Sequence, residues 1–99
     1  MSLSESQKKH LRRLGHDLKP VVMVGERGLS ETLLGELESS LAHHELIKVR
    51  VRAGDRGERD AIIRELCSRG RAELIQRVGN MALVYRRNDD EPKILLPAS

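Results

Sequence analysis

The chain reads as a small α/β sandwich in the order α-β-α-β-α-β-β, with a mixed four-stranded sheet. Three observations predict it. Leu33, Leu34, Leu37 and Leu41 recur at helical spacing between two short segments rich in Val and Ile. Ile47–Arg52 alternates apolar and charged residues, the period of a strand. Ala72–Val78 and Met81–Arg86 flank Gly79-Asn80, a two-residue connection that suits a type II′ hairpin. Strand–helix–strand crossovers imply parallel pairing, and the closing hairpin adds an antiparallel pair.

Each element follows from local signals. Residues 4–18 carry Gln7, Leu11, Leu14 and Leu18 at helical spacing, with Ser4 as N-cap. The apolar stripe is narrow, so this helix is expected on the domain surface. Pro20 biases Lys19 toward extended geometry and ends it. Val21–Val24 is continuously apolar, the pattern of a strand buried on both faces and central in the sheet. Ser30 caps a helix over 31–45. In the next strand Ile47, Val49 and Val51 point one way, and Lys48, Arg50 and Arg52 the other. A third helix over 58–69 turns Ala61, Ile62, Leu66 and Cys67 inward, and Gly70 terminates it. Asn88–Glu91 is a polar break before a short apolar stretch, Ile94–Leu96.

Composition bounds the function. The 99 residues fit one domain with an aliphatic core, since Phe and Trp are absent. A single cysteine, Cys67, allows no internal disulfide and fits a reducing compartment. No apolar run reaches the roughly 18–20 residues that span a bilayer, and no apolar signal core follows Met1. A cytoplasmic protein is expected.

The sharpest functional signal is Gly25-Glu26-Arg27-Gly28, between an apolar strand and a capped helix. Such a loop sets backbone N–H groups and an exposed Arg27 at a helix N-terminus, where phosphate binds well. A Gly-x-x-Gly loop also grips the backbone in one major single-strand RNA module. Alone, the motif reads more readily as a tight turn needing positive φ than as a phosphate site. Its neighbours add weight. Residues 1–20 hold Lys8, Lys9, Arg12, Arg13 and Lys19 against Glu5 and Asp17, so the whole net charge of +3 lies there. That concentration points to a polyanion partner.

The basic first helix, Lys19-Pro-Val-Val-Met-Val-Gly-x-x-Gly-Leu-Ser30 and His43-His44-Glu-Leu-Ile-Lys-Val49 together resemble the CRM domain family, chloroplast RNA splicing and ribosome maturation. The likeness runs from about Ser6 to Pro97 and is strongest to the bacterial single-domain YhbY-like members. It implies an RNA-binding domain similar in fold to the C-terminal domain of bacterial translation initiation factor three. It also implies association with precursors of the large ribosomal subunit, with the Gly25–Gly28 loop on the RNA surface. Glu26 departs from loops that are often neutral or basic in relatives, which shifts phosphate contact onto Arg27 and the backbone.

Other residues carry competing readings. Lys48, Arg50 and Arg52 serve equally as phosphate contacts or as edge-strand protection. Adjacent helical positions keep His43 and His44 from facing one ion, and no third ligand has metal-site spacing, so no metal is expected. Cys67 has no base beside it, and Tyr85, the lone aromatic, offers at most one stacked base and is too little for a stacking platform. No constellation supports an enzyme, a cofactor or a small-molecule substrate. The Lys8–Lys19 cluster lacks the Trp or Phe of a membrane-surface helix. The expected partner is RNA, in large-subunit ribosomal RNA or pre-ribosomal particles. The alternatives are a general RNA chaperone, a helper of intron or transfer RNA folding, or a protein adaptor using Glu31, Glu36 and Glu38.

Overall fold

A computed structural model describes residues 2–98. Three helices and four strands follow the expected order: α1 (Glu5–Gly15), β1 (Pro20–Val24), α2 (Glu31–His44), β2 (Leu46–Val51), α3 (Arg56–Gly70), β3 (Glu73–Val78) and β4 (Met81–Tyr85). The strands line up as β1-β2-β4-β3. The β1–β2 pair is parallel, and the other two are antiparallel.

Helices cover both faces of this sheet. Against α2 and α3 lie Val22, Val24, Ile47, Val49, Val51, Ala82 and Val84, packed on Leu37, Leu41, Ile63 and Leu66. On the opposite face a smaller cluster holds Leu3, Leu11, Leu46, Ile75, Leu83 and Tyr85, closed by Ile94 and Leu96 of the C-terminal segment. The alternation of β2 explains the split, because its odd-numbered residues feed the first core and its even-numbered residues turn to the second face.

Several expectations change. β1 is an edge strand, not a central one, and it alternates: Val22 and Val24 are buried, while Val21 and Met23 are 51% and 53% exposed. A run of four apolar residues looks the same at an edge as at the centre, and only the pairing partners decide. β2 holds the interior place, so edge protection does not explain its Lys48 and Arg50. α1 stops at Gly15, three residues early, and its inner line is Leu11 and Gly15, with Leu14 and Leu18 partly exposed.

α3 starts two residues earlier than expected, capped by Asp55, and buries Ile63 where Ala61 was expected. Its end also differs. Gly70 remains helical and buried, and Arg71 takes the left-handed position at φ 51°. A Cβ on Gly70 would stand 3.0 Å from Leu37 Cδ2 and 3.3 Å from Leu41 Cδ1. Gly70 therefore permits α3 to close on α2.

The expected caps are present. Ser4 and Gln7 form a reciprocal capping box at α1, and Ser30 Oγ accepts the Leu33 N–H at 3.1 Å. Gly79 sits at φ 60° while Asn80 stays out of the left-handed region, the signs of a type II′ turn.

One residue organises the corner where α2 meets β2. Glu45 has φ 65° and is wholly buried. Its carboxylate accepts the main-chain N–H groups of Asn88, Lys93 and Ile94, each at 2.7 Å. The buried charge is thus satisfied by the chain after β4, which it ties against the domain.

Candidate nucleic-acid interface

The Gly25–Gly28 segment is a single tight turn. The Gly28 N–H donates to the Gly25 carbonyl at 3.1 Å, and Glu26 and Arg27 at its tip are exposed. Gly28 takes φ 71°, whereas Gly25 is not in the left-handed region. A Cβ at either glycine would meet nothing within 4 Å. Only Gly28 is thus required by conformation, and the expectation for a pair of strained glycines holds for one. Two residues on, Ser30 caps α2 and takes up one of its free N–H groups.

The strand ladder brings β2 to this loop. Met23 pairs with Arg50 and Val24 with Val51, and the Arg52 N–H donates to the Val24 carbonyl at 2.7 Å. Arg52 therefore lies beside Gly25. A cleft of about 560 Å³ opens there, lined by Gly25, Glu26, Arg52, Gly54, Arg59 and Asn80 among others. Arg59 was not among the expected contacts. Its Nε is buried without a hydrogen-bond partner among the described residues. No sequence signal points to it, because it sits on α3, far from the loop along the chain.

At the other end of the same strand face, the Lys48 ammonium donates to the His16 carbonyl just beyond α1, at 3.2 Å. This links β2 to the basic helix. On α1, Lys9 and Arg13 are exposed and Lys8 and Arg12 half-buried, and Lys19 is exposed on the way to β1. The residues singled out by sequence thus fall on connected elements: α1, the β2 face and the Gly25–Gly28 turn.

Ion pairing leaves these cations free, as it does Arg56, Arg64, Arg71 and Lys93 elsewhere among the described residues. Among the described residues, the four ion pairs use Arg69, Arg77, Arg86 and Arg87. None involves Lys8, Lys9, Arg12, Arg13, Lys19, Arg27, Lys48, Arg50, Arg52 or Arg59. A larger opening of about 610 Å³ lies at the far end of the sheet, where Arg86 and Arg87 are paired, Arg71 is not, and the acids Glu73 and Asp89 share the wall.

A match to the CRS1/YhbY (CRM) domain spans residues 3–86. The chain belongs to this family. It is 48% identical over 95 residues to a protein of Pseudomonas aeruginosa named a probable RNA-binding protein, covering 96% of this chain and 91% of that one. An RNA-binding protein of Haemophilus influenzae is 44% identical over 96 residues, covering 97% and 96% of the two chains. The solution structure of a Staphylococcus aureus protein described as a candidate RNA-binding protein superposes with a TM-score of 0.82 at 31% identity, over 97% of this chain and all of that one.

The remaining candidates resolve locally. Tyr85 is buried, 2% exposed, so it cannot stack a base, and its hydroxyl has no hydrogen-bond partner among the described residues. Burial pushes the Cys67 thiol up to about 11, which keeps it protonated and unreactive at neutral pH. His43 and His44 are exposed in the last turn of α2, ring edge to ring face. Among the described residues no group of three or more His, Cys, Asp or Glu converges on a metal-sized site. Of the acids offered as an adaptor face, Glu38 is ion-paired with Arg86, and Glu31 lies 3.8 Å from Arg69.

Proposed function

We propose that this CRM-family protein binds RNA without catalysing a reaction and acts on ribosomal RNA during assembly of the large subunit in the cytoplasm. The observation that carries the reading is that ten cations outside the ion pairs, Lys8, Lys9, Arg12, Arg13, Lys19, Arg27, Lys48, Arg50, Arg52 and Arg59, fall on connected elements around α1, β2 and the Gly25–Gly28 turn. Unpaired Lys and Arg lose little on meeting a phosphate and release its counterions. With one aromatic side chain, and that one buried, phosphate contacts supply most of the affinity. The names of the relatives support RNA as the partner. Engagement of Glu31 and Glu38 within the chain weakens the adaptor reading.

Immature ribosomal RNA offers exposed strands and dense phosphate to a small domain of modest charge. In a sucrose gradient of cell lysate at low salt, the protein is expected with particles at or just below the large subunit. It is expected to be scarce on polysomes and to leave the particles as salt rises. Recovery wholly in the top fractions, or evenly on polysomes, would overturn the assembly role and favour a general RNA chaperone or an adaptor.

A further inference from the structure

α1 covers only part of its face of the sheet. Beyond its end the face stays open, and one register row crosses all four strands: Met23 pairs with Arg50, Arg50 with Met81, and Met81 with Val78. Met23 and Val78, at the two ends of this row on the edge strands, are 53% and 65% exposed. Where this row meets α1 there is a groove of about 250 Å³. Leu83 and Met81 form its floor, Val78 its lip, and Gln76, Lys48 and His16 its polar rim.

We propose that this groove holds an unpaired nucleobase of the bound RNA. The inference rests on the RNA reading above and adds a base contact to it. The groove is short, which suits one flat ring better than a helix or a strand of another protein. Its floor is aliphatic and thioether, and methionine sulfur packs well against π systems. The Gln76 amide offers both donors and an acceptor to a base edge. No acidic residue lines the groove. Lys48 stands on its rim and Arg50 one step along the strand face, so an anionic chain that carries apolar rings matches both the floor and the charge. The row leads from the groove through Arg50 to Met23, two residues before Gly25, which continues the site into the phosphate-binding turn. Paired bases are unavailable to such a groove because their faces are stacked.

The test compares a short single-stranded RNA with an abasic sugar-phosphate strand of equal length. The wild type is expected to bind the base-bearing strand about tenfold more tightly. Val78→Ser combined with Met81→Ser brings that strand to the abasic level and leaves the salt slope unchanged. A second variant, Val78→Trp, guards against misfolding, because Val78 is exposed and the chain has no other tryptophan. Its emission is expected to change on adding the base-bearing strand and not the abasic one. Equal binding of both strands by the wild type, or unchanged tryptophan emission while RNA is bound, overturns the base site and leaves the groove to a protein partner. Binding of neither strand at low salt removes the RNA reading itself, and this inference with it.

Discussion

Arg86 holds Glu38 through two parallel bonds, Nη1 to Oε1 at 2.8 Å and Nη2 to Oε2 at 2.7 Å. The same guanidinium donates to the Gly70 carbonyl at 3.0 Å. One side chain just beyond β4 thus ties α2 to the end of α3. Gly70 is also where α3 packs directly on Leu37 and Leu41 of α2, so this contact locks the layer that backs the sheet.

This pair makes stability sensitive to acid. The hydrogen bond from Arg86 holds the Glu38 carboxyl below its ordinary value of 4.5. The unfolded chain therefore takes up the proton first, and the stabilisation is complete above that value and fades as pH falls through the lower folded one. Glu38 is half exposed, which limits the pair to about 0.5–1 kcal/mol. Urea unfolding of Glu38→Gln is expected to show that deficit at pH 7, with the gap to wild type closing as pH falls below 4.5.

The Glu45 carboxylate is a larger contributor. Glu45→Ala strands three part-buried N–H groups, an expected loss of about 3 kcal/mol. Glu45→Gln keeps an acceptor oxygen and is expected to lose less. Chemical denaturation ranks the two. Equal stability of Glu45→Ala and wild type would mean that water replaces the carboxylate.

The elements of this fold were legible because helix and strand periods and two serine caps are local signals. The place of β1 was not, since Val21–Val24 gives the same pattern wherever it pairs. The α1, β2 and loop cations were also readable, from charge concentration and one motif. Three features lay beyond reach. Arg59 joins the loop cleft only through the packing of α3. Glu45 looked like one more acid after two histidines, and nothing nearby reveals donors more than forty residues on. The open row needs strand register, which single-sequence patterns do not supply.

Arg27 occupies the tip of the turn with no internal partner among the described residues. Arg27→Glu is expected to weaken RNA binding at least tenfold, about 1.4 kcal/mol, with unchanged thermal stability. Equal affinity in a filter-binding titration would take the turn off the interface.

The two glycines now separate strain from charge. Gly28→Ala places a Cβ at φ 71° and is expected to lose about 1 kcal/mol of stability. Gly25→Ala is expected to be nearly neutral, having open space and ordinary backbone geometry. Gly25→Asp then becomes the clean electrostatic probe, with an intact melting curve and weakened RNA binding. A destabilised Gly25→Asp would show that this position bears on folding.

For α1 the measurement is salt dependence. Each phosphate neutralised on a single strand adds roughly 0.7 to the slope of log affinity against log salt. Replacing Lys9 and Arg13 by alanine is expected to flatten the slope by about one unit or more, alike for all RNA sequences. An unchanged slope would make these side chains solvent-facing only.

The tether at Glu45 bears on how the protein emerges from the ribosome. Two of its three donors, Lys93 and Ile94, lie 48 and 49 residues further along the chain. A nascent chain that already contains α2 and β2 must keep that carboxylate in water, because burying an unpaired charge costs about 3–5 kcal/mol. That is a large share of the roughly 5–15 kcal/mol that stabilises a whole domain. The corner beside β2 therefore reaches its full stability only with the segment through Ile94 in place. A chain truncated before Lys93 would keep α2 and β2 but leave the Glu45 carboxylate without two of its three donors.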